Sequence, residues 1–157
     1  MDDSKYQLDN VINAINDHKR DRKKIVFTNG CFDILHVGHI RYLSEAKSLG
    51  DILVIGINSD KSVRELKGLS RPINSLSDRA LMLSELRHVD YVINFEEQTP
   101  LKLIKIIMPD ILVKGGDYTV ETVIGSSEVI HSGGQVKLLQ FHDEYSSTKY
   151  IDKIKKQ

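Results

Sequence analysis

A chain of 157 residues is long enough to bury a core and too short for two full domains, so a single domain over 1–157 is expected. Its 22 basic and 22 acidic side chains cancel, which removes any whole-molecule field for nucleic acid or a membrane surface and leaves a small molecule as the expected partner. The lone cysteine, Cys31, allows no internal disulfide, no apolar stretch has the length of a spanning helix, and Met1-Asp2-Asp3-Ser4 lacks a signal pattern, so a cytoplasmic protein is expected.

In chain order, Leu8, Val11, Ile12 and Ile15 recur at helical spacing and predict an amphipathic helix over about 4–18. Residues 1–20 then form an accessory element that covers the sheet or lies between two copies of the chain. The basic run His18-Lys19-Arg20 with Arg22-Lys23-Lys24 reads as a solvated face. Ile25-Val26-Phe27 is a short buried strand, and Ile40, Leu43, Ala46 and Leu49 mark a helix that stops at Gly50. The near-continuous apolar run from Ile52 to Ile57 fits a strand covered on both faces.

Leu66-Lys67-Gly68-Leu69-Ser70-Arg71-Pro72-Ile73 reads as a mobile loop. Ser77-Asp78 opens a helix carrying Leu81, Met82 and Leu86; Tyr91-Val92-Ile93 is a third strand; Thr99 caps a helix with Pro100 in its first position. Ile111-Leu112-Val113 is a fourth strand, residues 121–132 are partly helical and end at Gly133-Gly134, Val136-Lys137-Leu138-Leu139 is a fifth strand, and a last helix runs from about Ser147 to Lys156. Strands alternating with helix-length segments imply an α/β fold: a doubly wound, mainly parallel five-stranded sheet with helices on both faces.

The chemistry concentrates behind the first strand, in Thr28-Asn29-Gly30-Cys31-Phe32-Asp33-Ile34-Leu35-His36-Val37-Gly38-His39. Two histidines three residues apart project from one helix end, glycines permit close approach, and a helix start offers free N–H groups to an anion. Core packing of the histidines and a zinc site with Asp33 are the competing readings, although Cys31 cannot complete a Cys/His ligand set.

Strand followed by G-x-F-D-x-x-H-x-G-H resembles the signature of the cytidylyltransferase-like nucleotidyltransferases, with Gly30, Phe32, Asp33, His36, Gly38 and His39 in register. The resemblance implies a Rossmann-like nucleotidyltransferase fold and catalytic roles for His36, His39, Lys67 and Arg79. It further implies nucleotide contacts from Asn29, Gly30, Cys31, Phe32, Gly38, Gly116, Asp117, Ser147 and Thr148. Arg79 would meet the nucleotide phosphates, Asp33 would orient the turn, and Lys47 would serve either an ion pair or the chemistry.

Within this superfamily, the motif together with Lys114-Gly115-Gly116-Asp117-Tyr118 and Gly133-Gly134-x-Val136 is similar to the adenylyltransferases of ADP-heptose synthesis, over about residues 20 to 155. That implies ATP and a sugar 1-phosphate as substrates, magnesium arriving with ATP, a place in lipopolysaccharide precursor synthesis, and a homodimer. No sugar kinase accompanies the domain here, so a stand-alone form is expected. Ser147 and Thr148 match the family's Ser-Thr-Thr, with Lys149 where the second threonine is common and Tyr145 where glycine is common. Glycerol-3-phosphate cytidylyltransferase is the alternative, with His142-Asp143-Glu144-Tyr145 in place of its Arg-Thr-x-Gly-Ile segment. A nucleotide sensor without turnover is the reading from another class.

Overall fold

The computed structural model describes residues 8–140 and 145–156. The start of the N-terminal helix before Leu8, and His142-Asp143-Glu144, lie outside the described residues. The elements are α1 (Leu8–Arg20), β1 (Ile25–Gly30), α2 (Val37–Ser48), β2 (Ile52–Asn58), α3 (Asp60–Lys67), α4 (Leu76–Ser84), β3 (Tyr91–Phe95), α5 (Leu101–Ile107), β4 (Ile111–Gly115), α6 (Ser126–His131), β5 (Gln135–Leu139) and α7 (Ser147–Lys155). A short 3-10 turn, Val120–Thr122, separates β4 from α6.

All five strands are parallel, in the order β3-β2-β1-β4-β5. The chain steps outward from β1 to β3, crosses back, and continues through β4 to β5 on the other side. Apolar side chains alternate between the two sheet faces, and each face has its own core. Val26, Leu53, Ile55, Ile57, Val92 and Val113 lie under Tyr42, Leu43 and Ala46 of α2 and Ala80 and Leu83 of α4. Phe27, Val54, Ile93 and Leu112 lie under Val11 and Ile15 of α1, Leu103, Ile104 and Ile107 of α5, and Val129 of α6. Outward and return crossovers thus use opposite faces, as a constant right-handed connection demands. β2, at which all seven residues are buried, explains why Ile52 to Ile57 is apolar without alternation. The α1 helix covers its own sheet through Val11 and Ile15.

Three local expectations change. Residues 60–67 form a helix, α3, capped by the Ser59 side chain, which accepts from the Ser62 N–H, so Lys67 is a helix end instead of a loop residue. The cap of α4 is Ser75, two residues ahead of Ser77. Pro100 takes the cap position of α5 and no side chain caps it; Thr99 does not serve.

Between β1 and β2 the register runs through six residue pairs, Ile25 with Ile52 to Gly30 with Ile57. Between β1 and β4 only Val26 with Ile111 and Phe27 with Leu112 are paired. The two strands separate beyond Phe27, at the switch point where the winding direction reverses, and a crevice opens at their carboxyl ends. The closeness of the supporting core is testable at Gly56 in β2, where an added Cβ would lie 2.8 Å from Phe27 Cζ and 3.3 Å from Leu103 Cδ2. Gly56→Ala should overpack this face, cost about 1–3 kcal/mol and lower the thermal midpoint by several degrees, read by circular dichroism.

Candidate active site

Where main-chain pairing between β1 and β4 stops, side chains bridge the gap. The Tyr42 hydroxyl lies 2.6 Å from Thr28 Oγ1 and hydrogen-bonds the Gly115 main chain; its burial pushes the phenol up to about 12. One step further out, Lys114 Nζ donates to Asn29 Oδ1 at 3.2 Å and lies 5.4 Å from the centre of the Tyr118 ring. Burial pulls the Lys114 ammonium below its ordinary pKa. These residues floor a cleft of about 530 Å³, walled by Asn29, Gly30, Cys31, Phe32, Asp33, His39, Lys67, Gly116 and Ser147 among others.

The histidine turn stands on one side of this cleft. His36 is the N-cap of α2, with extended backbone, and its Nδ1 accepts from the His39 N–H at 3.4 Å. That acceptance places the proton of the neutral ring on Nε2. The two imidazoles stack, centroids 3.8 Å apart and 20° from parallel, and Phe32 closes on His39 at 5.2 Å. Gly38 makes room for this, since a Cβ there would sit 3.0 Å from His36 Nδ1. Burial lowers the pKa of His36. Burial, then His36 and Lys67, pushes His39 down to about 4. Both rings are therefore neutral near pH 7, and the His39 Nδ1 is buried without a partner among the described residues.

Below the turn, two arginines tie the loops together. Asp33, 1% exposed, is paired with the Arg71 guanidinium and accepts from the N–H groups of Ile73 at 2.7 Å and Asn74 at 3.0 Å. Burial would raise its pKa; the Asn74 N–H, Arg71 and the Ile73 N–H outweigh that and hold the carboxyl below its usual range. With both carboxylate oxygens engaged, Asp33 is an anchor for the 71–74 segment. Arg79 is wholly buried and donates to the carbonyls of Cys31 (2.6 Å), Asn58 (2.9 Å) and Asn74 (3.1 Å) and to Asp60 (2.7 Å). Arg79 is not among the residues that line the cleft, and its donors hold the ends of β1 and β2 to the start of α4.

The remaining candidates divide. Asn29, Gly30, Cys31, Phe32, His39, Lys67, Gly116 and Ser147 line the cleft, whereas His36 acts from behind His39, and Asp117 and Thr148 are exposed outside its wall. Ser146 is the N-cap of α7 and accepts from the Lys149 N–H. Three hydroxyl side chains, Ser146, Ser147 and Thr148, thus stand in a row at this helix start. Ser147 Oγ donates to Ile34 O at 3.0 Å and fastens α7 to the histidine turn. Lys47 is paired with Asp90, outside the cleft, which settles its role as an ion pair. Sequence reasoning singled out Lys114 only as part of the segment Lys114-Gly115-Gly116-Asp117-Tyr118 and missed Tyr42; only the crevice between β1 and β4 brings them together. Among the described residues no group of three or more His, Cys, Asp or Glu stands close enough to hold a metal, so the zinc reading finds no ligand set. No helix among them is long and apolar enough to cross a membrane.

A parallel α/β sheet with two lysines, a neutral histidine pair and two helix starts at its switch point is a phosphate-transfer scaffold of the nucleotide-binding class. The cytidylyltransferase-like family model matches residues 27–153, and the chain belongs to that family of nucleotidyltransferases. It is 54% identical over 154 residues to the bifunctional protein HldE of Citrifermentans bemidjiense, covering 97% of this chain and 31% of the relative. It is 59% identical over 136 residues to HldE of Campylobacter fetus, covering 87% and 29%. The chain thus spans less than a third of these relatives' length. Among solved structures, a lipopolysaccharide core biosynthesis protein from Thermoplasma volcanium superimposes with a TM-score of 0.62 at 34% identity, covering 76% of this chain and 96% of that one. Pantoate-beta-alanine ligase from Francisella tularensis, 17% identical with a TM-score of 0.55 over 82% of this chain and 64% of its own, shares the fold.

Two predictions follow the geometry. Arg79→Ala strips donors from several carbonyl oxygens at once and should destabilise the domain by about 2–4 kcal/mol in denaturant titration. For His39, whose folded pKa of about 4 lies below the ordinary 6.5, the unfolded chain binds the proton first. Its contribution to stability is complete above about pH 6.5 and is lost as the pH falls towards 4. A His39→Gln variant should show a flatter dependence of unfolding free energy on pH across that window.

Proposed function

We propose that this domain transfers the adenylyl group of ATP to a heptose 1-phosphate, giving ADP-heptose and pyrophosphate. The observation that carries it is the gathering of His39, Lys67, Lys114 and the starts of α2 and α7 around one cleft at the β1/β4 switch point. The choice of substrates is supported by the likeness of Lys114-Gly115-Gly116-Asp117-Tyr118 to the ADP-heptose branch and by the similarity to a lipopolysaccharide core biosynthesis protein.

The reaction is a direct displacement. An oxygen of the sugar phosphate attacks the α-phosphorus of ATP, the bond from that phosphorus to the bridging oxygen breaks, and pyrophosphate leaves with the electron pair. The nucleophile is already an anion, so no general base is required, and the protein's work is alignment and stabilisation of charge on the phosphate oxygens. A neutral His39 ring at the cleft wall supplies a hydrogen bond without adding a cation that would bind ground and transition states alike, and His36, stacked behind it, holds that ring in place. The partnerless His39 Nδ1 is a group that a phosphate oxygen or its water would satisfy. Lys67 and Lys114 neutralise charge from opposite sides of the cleft, and the N–H groups behind Ser146 and Ser147 receive the triphosphate tail. Arg79 and Asp33 act through the loops they hold. ATP would enter as its magnesium complex, the ion supplying charge neutralisation on the triphosphate.

Pyrophosphate release from ATP with heptose 1-phosphate tests the reading. His36→Ala and His39→Ala should each lower kcat by about 10²–10³, and Lys114→Met should lower kcat/KM by about 10–100-fold. Equal rates in wild type and histidine variants would sink the site assignment. A clear preference for CTP with glycerol 3-phosphate would move the chain to the cytidylyltransferase alternative, and nucleotide binding without turnover of any pair would make it a sensor.

A further inference from the structure

His36 belongs to the turn before α2, yet much of its surroundings comes from the far end of the chain. Besides stacking on His39, its imidazole lies nearly parallel to Tyr150 of α7, with ring centroids 5.9 Å apart and planes at 16°. Tyr145, just ahead of α7, flanks it at 6.3 Å and 24°. Among the described residues the one hydrogen bond to the ring, from the His39 N–H, is long at 3.4 Å. A histidine at a cap position, with extended backbone and one weak hydrogen bond, keeps rotational freedom unless its faces are packed. Gly38 leaves the slot in which this packing occurs, since a Cβ there would lie 3.0 Å from His36 Nδ1 and 3.1 Å from Tyr145 Cβ. The tyrosines are held in place through the Ser147 hydroxyl on Ile34 O and the Ser146 cap of α7.

We propose that Tyr150 is a positioning residue for nucleotidyl transfer: its ring, assisted by Tyr145, holds the His36 imidazole stacked on His39 in the orientation that keeps Nδ1 on the α2 cap and the proton on Nε2. This rests on the histidine pair acting on phosphate, as read above. The groups around the pair are consistent with a neutral imidazole. From α2 there is His39; from α3, Lys67, which acts on His39; from the α7 side, Tyr145 and Tyr150; and the Arg41 guanidinium lies 6.0 Å from the centre of the Tyr145 ring. The two charged members, Lys67 and Arg41, are cations, and burial lowers the His36 pKa in the same direction. Tyr150 is 39% exposed, so its removal leaves the two cores intact.

The test compares Tyr150→Ala with Tyr150→Phe in two measurements: kcat and KM between pH 5 and 8, and an NMR titration of the His36 imidazole in nucleotide-free protein. Tyr150→Ala should lower kcat about tenfold with KM for ATP within about twofold, shift the acid limb of kcat upward, and raise the His36 pKa towards its ordinary value as water reaches the ring. Tyr150→Phe should restore all three. An unchanged kcat and unchanged His36 titration in Tyr150→Ala would overturn the proposal, as would a Tyr150→Phe variant as impaired as Tyr150→Ala, which would assign the effect to the hydroxyl. The titration needs no sugar phosphate, so it still decides the role of Tyr150 if the proposed substrate proves wrong.

Discussion

The separation of β1 from β4 after Phe27 is the constraint on which the rest depends. In a doubly wound sheet the strand at the reversal point has neighbours whose connections leave on opposite faces, so no helix covers the top of the gap between them. Here that gap begins where main-chain pairing stops, and it is kept at its width by two side-chain rungs, Tyr42 on Thr28 and Lys114 on Asn29. The first rung is buried and neutral; the second places a cation in the mouth of the cleft. Apart from Lys67, at the far end of α3, the groups that meet a nucleotide in the proposed reaction are attached to the ends of these strands or to helix starts beside the cleft.

The electrostatics of the cleft are a balance of desolvation and charge. Burial moves Lys114 and the histidines towards their neutral forms, and the charge of a bound polyanion would draw them back towards their protonated ones. The permanent cations Arg71 and Arg79 are buried below the surface, Arg71 paired with Asp33 through its Nε and Arg79 engaged by carbonyl oxygens and Asp60. Their fixed donors make the turn after β1 a rigid part of the scaffold. An arginine with its donors so engaged is a structural cross-link between Cys31, Asn58 and Asn74, three points distant in sequence.

Much of the architecture was legible because it is local. Continuous burial at Ile52 to Ile57, helical spacing at Ile40, Leu43 and Ala46, and the glycines at 133 and 134 each reflect the period of one element. The short helix α3 escaped notice because only Ser62 and Val63 of its eight residues are buried, too few to set up a period, although Ser59 and Gly68 bracketed it. Caps shifted by one or two residues, from Ser77 to Ser75 and from Thr99 to Pro100, because several residues near each start are chemically able to cap and packing selects among them.

For the site, the linear motif identified the turn, the two histidines and the phosphate chemistry, since Gly30, Phe32, His36, Gly38 and His39 lie within ten residues and their relation is set by one strand end and one helix start. Tertiary structure alone decided the roles of residues that meet across the sheet. It set the buried Arg79 against the carbonyls of Cys31, Asn58 and Asn74, set Asp33 against Arg71, and brought Lys114 opposite Asn29 and Tyr150 beside His36. The reason is that a side chain's local pattern specifies which face it occupies, while its partner is chosen by strand order and by which buried donors and acceptors must be satisfied once the sheet has closed.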